Sequence, residues 1–165
     1  MTATDEAIEA ARRSFFDEKE RLARTLSRTP DDRLKWSPSP NSRTPLALVV
    51  HAAYAIGSVH RMLVGNPFSI PTTAEADRSF REFERDFTTR EQALDLLEEN
   101  GTAYVEWLNA LSSSRLDDMV TLPFGLGAAP LSAALSFVPD HTRWHCAQLE
   151  YVQTAYGDHD WHLGR

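Results

Sequence analysis

Cysteine occurs once in the 165 residues, as Cys146, so no internal disulfide can form. Such a chain has no need of an oxidising environment, and a cytoplasmic setting is expected. Positive charge is also short. Seventeen Lys and Arg stand against 24 Asp and Glu, a formal charge of −7, and the cations form no stripe. Neutralising phosphates takes clustered Lys and Arg, so nucleic acid is not an expected partner, and an acidic surface chiefly favours solubility. The opening residues, Met1-Thr2-Ala3-Thr4-Asp5-Glu6, lack the basic and apolar regions of a secretory signal. The longest nearly apolar stretch, residues 46–64, is interrupted by His51, His60 and Arg61. That suits a buried helix better than a membrane span, so no membrane association is expected. Also missing are a glycine-rich phosphate loop, a Gly-x-Ser-x-Gly elbow and a Cys-x2-Cys pair. Carboxylates are plentiful, but no pair is marked for acid–base work.

Hydrophobic residues make up 42% of the chain and charged residues 25%, which excludes disorder and fits a globular core. A chain of 165 residues buries such a core as one unit without staples. A single domain over residues 1–157 with a C-terminal tail, 158–165, is expected.

Four long helical patterns carry the core. In residues 4–28, Ile8, Ala11, Phe15, Leu22 and Leu26 recur at helical spacing. A polar, proline-rich loop over residues 29–43 holds Trp36, which should pack down on the bundle. The second helix opens with Thr44 as N-cap and Pro45 at its first position, and Gly65-Asn66-Pro67 ends it. It is apolar almost all round, the mark of a central helix. Residues 65–87 make a long connection in which Ala76, Phe80, Phe83 and Phe87 predict a short amphipathic helix. The third long helix starts near Thr88, spaced from Glu91 as in a capping box. Leu94, Leu97, Gly101, Tyr104, Leu108 and Leu111 then hold a seven-residue repeat, the spacing of a bundle seam. Residues 120–125 predict an extended piece, as in a small hairpin. The last helix spans residues 130–156, with a seam through Leu131, Leu135, Val138, Thr142, His145, Leu149, Val152 and Tyr156 and Gly157 as its stop. Pro139 should free a carbonyl one turn earlier and bend this helix. The class read from these patterns is all-α, a four-helix bundle.

The seams turn polar at histidines. His145 takes a core position on the last helix, and His141, four residues earlier, projects from the same face about 40° away. His51 sits in the middle of the most apolar helix. A buried imidazole without a partner costs roughly 1–3 kcal/mol, so three in one core need a common explanation. One shared divalent ion supplies it. Three neutral imidazoles suit zinc, nickel or iron and leave positions open for water or substrate. The alternative is three core histidines bonded to backbone carbonyls, since nothing in the sequence obliges His51 to face the other two.

Around this trio the roles stay open. Tyr54, three residues after His51, either hydrogen-bonds a ligand at the metal or packs in the core. Gln148, on the row of His141, either supports a ligand or lies at an interface. Asp140 either orients a histidine or caps the bend. Cys146 points about 100° from His145 and reads as a small core residue. His60, on the opposite side of its helix, reads as a surface or interface residue, and His159 and His162 as solvated tail residues.

Several segments, in this order, are similar to the DinB-like superfamily of bacterial four-helix bundles, which includes the DinB/YfiT group. They are Trp36-Ser37-Pro38, Thr44-Pro45-Leu46, Leu48-Val49-Val50-His51, Pro123-Phe124-Gly125 and the run Asp140-His141-Thr142-Arg143-Trp144-His145-Cys146-Ala147-Gln148-Leu149. The resemblance implies an up-down-down-up topology with a long crossover between the second and third long helices, and in many members a homodimer. It implies a metal triad of one histidine from the second helix and two from the last, which here are His51, His141 and His145. Ala147 departs from the glycine that close relatives often carry before the glutamine. Members of known activity include S-transferases and isomerases that use low-molecular-weight thiols, and metal-dependent hydrolases. The expectation is therefore a thiol-dependent S-transferase or a hydrolase acting on a small molecule, with a low-molecular-weight thiol as one conceivable cosubstrate. A non-catalytic metal or small-ligand binder, or a purely structural bundle, is the alternative.

Overall fold

The computed structural model describes residues 3–160. Four long helices build the core: α1 (Ala3–Arg28), α2 (Pro45–Leu63), α4 (Arg90–Ala110) and α6 (Phe137–Ala155). Between α2 and α4 lies the shorter α3 (Thr73–Glu84). A two-stranded hairpin, β1 (Met119–Thr121) with β2 (Ala128–Pro130), and the one-turn α5 (Leu131–Ala134) lead into α6.

Helix directions follow from the cross-links. Residues 14, 18, 21 and 25 of α1 meet residues 143, 146, 150 and 153 of α6 in rising order, so these two helices are parallel. Asn100 donates to the Ala53 carbonyl and Trp107 stacks near His60, so α2 and α4 are parallel as well. Phe15 meets Tyr104 while Arg90 reaches back to the Leu26 carbonyl, which sets α1 and α4 antiparallel. The topology is up-down-down-up, with α3 inside the long crossover. Parallel neighbours cannot be joined by a tight turn, which is why residues 64–89 run so long.

The local signals act largely as expected. Thr44 Oγ1 accepts from the Ala47 amide at 3.2 Å and Pro45 opens α2. Gly157 adopts φ 98° after α6, while the Asp158 amide donates to the Gln153 carbonyl and the Gly157 amide to Thr154, a Schellman stop. Trp36 packs edge-on against Tyr156 with ring centres 5.8 Å apart. The hairpin forms, although residues 122–127 are its turn and not its strand. The start of α4 moves by one residue. Thr89, not Thr88, is the cap, and Gln92, not Glu91, closes the capping box, because the Gln92 side chain reaches back to the Thr89 amide.

The last helix differs from the expectation. It is not continuous over residues 130–156 but breaks at Leu135 and Ser136, between α5 and α6. Pro139 has no N–H to give to the carbonyl of Leu135, four residues back. That carbonyl accepts the buried Tyr104 hydroxyl at 3.3 Å instead. A side chain of α4 thereby holds the break that places His141 in the second turn of α6. Helix α2, long and apolar enough to cross a membrane, has 72% of its apolar window buried inside the bundle.

Candidate metal centre

His51 comes from the middle of α2 and His141 and His145 from successive turns of α6, which runs antiparallel to it. One ring nitrogen from each lies within 4.8 Å of the others. Ring centres are 4.7 Å apart for His51 and His145, 5.5 Å for His51 and His141, and 4.4 Å for His141 and His145. His51 and His145 are buried and His141 is half-buried.

Hydrogen bonding turns two of these rings the right way. His51 Nδ1 lies 3.1 Å from Glu84 Oε1, at the end of α3, and the carboxylate can only accept. Nδ1 of His51 is thus the donor, which leaves Nε2 as the ring's ligand atom. His145 Nδ1 lies 2.8 Å from Gln148 Oε1, so Nδ1 is the donor there too. His145 Nε2 then faces His141 Nε2 at 3.2 Å. A tetrahedral ion bound at about 2.0–2.1 Å spaces its ligand nitrogens by about 3.3 Å, so this pair stands at the separation that an ion needs. Metal-binding histidines characteristically give their second N–H to a carboxylate or carbonyl oxygen, and His51 and His145 both do. Three imidazole nitrogens, two of them on rings oriented by hydrogen bonds, fit a borderline cation such as zinc, nickel or iron, and could hold one.

Electrostatics favour unprotonated ligands. Burial, with the nearby His51 and Arg43, draws the His141 pKa down to about 4. Burial, His141 and His51 draw His145 down to about 3. Both are therefore neutral at pH 7, as a metal ligand must be.

Glu84 carries no signal in the sequence. It is a buried carboxylate, 8% exposed, and its Oε1 also accepts from Arg43 Nε at 2.8 Å. Arg43 Nη2 donates to Asp77 at 2.7 Å. So Arg43, one residue before the α2 cap, pins α3 across the site and holds the Glu84 carboxyl group beside His51. Nothing local marks Glu84, which follows Phe83 in an ordinary amphipathic pattern; only the burial of its position in the fold distinguishes it.

The other candidates separate cleanly. Gln148 supports His145, three residues before it, and not His141. Tyr54 stacks on Phe83 and Phe80, with ring centres 4.2 and 5.5 Å away, and meets the trio through Phe80, whose ring lies 5.0 Å from His51. Asp140 accepts from Arg143 at the surface. Cys146 is buried, its thiol donates to the Glu18 carbonyl, and burial lifts its pKa to about 12, which removes any nucleophilic role. His60 is half-buried against Tyr104 and Trp107. His159 is exposed, and His162 lies outside the described residues.

Fold and site together define a helical bundle with a three-histidine group that could hold a metal ion. The chain belongs to the DinB superfamily, whose sequence profile matches residues 17–149. Among solved structures it is similar to YfiT from Bacillus subtilis, described as a probable metal-dependent hydrolase with an unusual four-helix bundle topology. That likeness has a TM-score of 0.74 at 16% identity, over 95% of this chain and 90% of that one. It is similar to DfsB, a sibling lethal factor precursor, with TM-score 0.70 at 12% identity over 91% and 96% of the two chains. The mycothiol-dependent maleylpyruvate isomerase gives 0.65 at 17% identity, over 90% of this chain and 63% of that chain. At these identities the likeness is one of fold. No curated protein matches the sequence.

Proposed function

We propose that the protein is a metal-dependent enzyme in which His51, His141 and His145 hold one divalent ion and a small molecule reacts beside it. The observation that carries this reading is the trio of ring nitrogens within 4.8 Å, two of the rings being oriented by Glu84 and Gln148. When bound, such an ion acts as a Lewis acid and lowers the pKa of a coordinated water or thiol. The chain's own part is to keep three imidazole donors in place, to hold Glu84 beside His51 through Arg43, and to cover the site with the ring of Phe80, which Tyr54 backs. Three protein ligands leave coordination positions open, the arrangement of catalytic and not of structural sites.

The reaction class we favour is hydrolysis or thiol-dependent S-transfer. YfiT is described as a probable metal-dependent hydrolase and another fold neighbour as a mycothiol-dependent isomerase, which supports chemistry of these kinds in this family. Cys146 is buried and cannot serve as the thiol, so a thiol would be a cosubstrate. The composition, with one buried cysteine, suits the cytoplasm.

Metal content by mass spectrometry on tag-free protein tests this reading, with His145→Ala and a chelator-stripped, reloaded control. About one equivalent in the native protein, lost in the variant, is expected. No metal in either, with an unchanged melting temperature after zinc or nickel addition, would overturn the reading. A full site that turns over neither thiol nor ester substrates would leave a non-catalytic binder.

A further inference from the structure

Beside the histidines lies a cavity of about 200 Å³, between α2, α3 and the β1–β2 turn. Its walls are Val59 and Met62 from α2, Phe80 from α3, Phe68, and Phe124 from the hairpin turn, and His141 closes the side nearest the metal centre. No Asp, Glu, Lys or Arg lines it. The lining hydroxyl, Ser58, is already engaged, accepting from Arg61 Nη2 at 3.0 Å.

Phe124 reaches this wall at a conformational cost. Its φ is 58°, in the left-handed region that residues with a β-carbon rarely adopt. The turn dictates it: Leu122 N donates to the Gly127 carbonyl at 2.8 Å, and Gly125 and Gly127 also have positive φ. The result is a ring set edge-on against Phe68 with centres 5.6 Å apart, while Phe68 lies 6.1 Å from Phe80. The aromatic wall therefore continues from the turn to Phe80, which touches His51.

We propose that this cavity binds the apolar part of the substrate, an uncharged aryl or branched alkyl group of about the size of a benzene ring, whose polar end lies at the three histidines. The inference rests on the metal reading above and adds the substrate class. Size agrees, since a closed apolar cavity of about 150 Å³ suffices for benzene. Chemistry agrees as well. A dicarboxylate such as maleylpyruvate would set a second charge against Phe and Met side chains, where nothing on the wall compensates its lost hydration.

Benzohydroxamate and acetohydroxamate share a metal-chelating end and differ as phenyl against methyl. On zinc-loaded, tag-free protein, calorimetry should give benzohydroxamate an affinity at least about tenfold higher, from the added apolar area buried. Val59→Phe, at a half-buried position, fills the cavity. It should bring that ratio close to one with acetohydroxamate binding and helical content unchanged. Phe124→Ala should lower the ratio severalfold by removing a wall. Equal affinities in the wild type with a full zinc site, or a preference that survives both variants, would overturn the inference and leave the metal reading intact. If no zinc is taken up, the metal reading fails by itself, and the cavity is tested by titrating toluene into the metal-free protein. A shift of the Met62 methyl resonance, assigned with Met62→Leu and lost in Val59→Phe, then supports the apolar pocket; no shift overturns it.

Discussion

Glu84 Oε1 serves two donors, Arg43 Nε and His51 Nδ1, in a place where water cannot replace either. Partners of ligand histidines are typically worth about 10–100-fold in metal affinity. Glu84→Ala should therefore weaken zinc binding by about that factor, read by competition with a chromophoric chelator. Glu84→Gln should lose less, because its amide oxygen can still accept from His51. Protonation gives a second test at this scale. His141 and His145 titrate at about 4 and about 3 in the folded protein, against about 6.5 for an imidazole in the unfolded chain. Between those values the unfolded state binds more protons, so this contribution to stability is present above pH 6.5 and is lost as the pH falls through about 4 and on to about 3. Thermal melts of the metal-free protein at pH 7, 5.5 and 4 should show this fall. The loss should be smaller in a His141→Asn, His145→Asn double variant, which lacks both groups.

At the scale of an element, the break between α5 and α6 is a joint property of Pro139 and Tyr104. Proline removes the donor, and the Tyr104 hydroxyl takes the carbonyl of Leu135 that this leaves behind. Tyr104→Phe keeps the ring contact with Phe15 but strands that buried carbonyl, at a cost of about 1–3 kcal/mol. For a domain of this size each kcal/mol lowers the melting temperature by about 2–4 °C, which calorimetry resolves. A different constraint couples α2 to α4. A Cβ at Gly57 would lie 2.7 Å from Asn100 Oδ1, and Asn100 Nδ2 donates to the Ala53 carbonyl at 2.9 Å. Gly57→Ala should thus displace Asn100 and destabilise the protein by about 1 kcal/mol or more despite the better helix propensity of alanine.

For the whole molecule, the site ties the two halves of the bundle together. His51 belongs to the parallel pair α2 and α4, His141 and His145 to the parallel pair α1 and α6, and Glu84 to the crossover. An ion bound there fastens elements that are far apart in sequence and binds the folded state alone. At a hundred times its dissociation constant it should add about 2.7 kcal/mol of stability. The corresponding rise in melting temperature is about 5–10 °C. His145→Ala should abolish the rise on zinc addition, and an equal rise in that variant would show that zinc binds elsewhere.

Periodicity and punctuation in the sequence determined the helices: the apolar stripe of α1, the Thr44-Pro45 start of α2, the seven-residue seam of α4 and the Gly157 stop. These are local signals, decided by neighbours within a turn or two. The i, i+4 spacing of His141 and His145 was legible for the same reason, since a single helix sets it. That His51 faces them depended on α2 packing antiparallel to α6, a relation no local pattern encodes. The partner of His51 was likewise decided outside its sequence neighbourhood, whereas Gln148 lies one turn from His145. Glu84 stands 33 residues from His51 and 41 from Arg43, and an acidic residue on an amphipathic helix looks solvated until the crossover folds over the site. The broken last helix divides the same way: Pro139 announced a free carbonyl, and only the packing of α4 supplied the Tyr104 hydroxyl that satisfies it. Burial made the difference, because it alone turns an ordinary charge or hydroxyl into a group that must find its partner inside the fold.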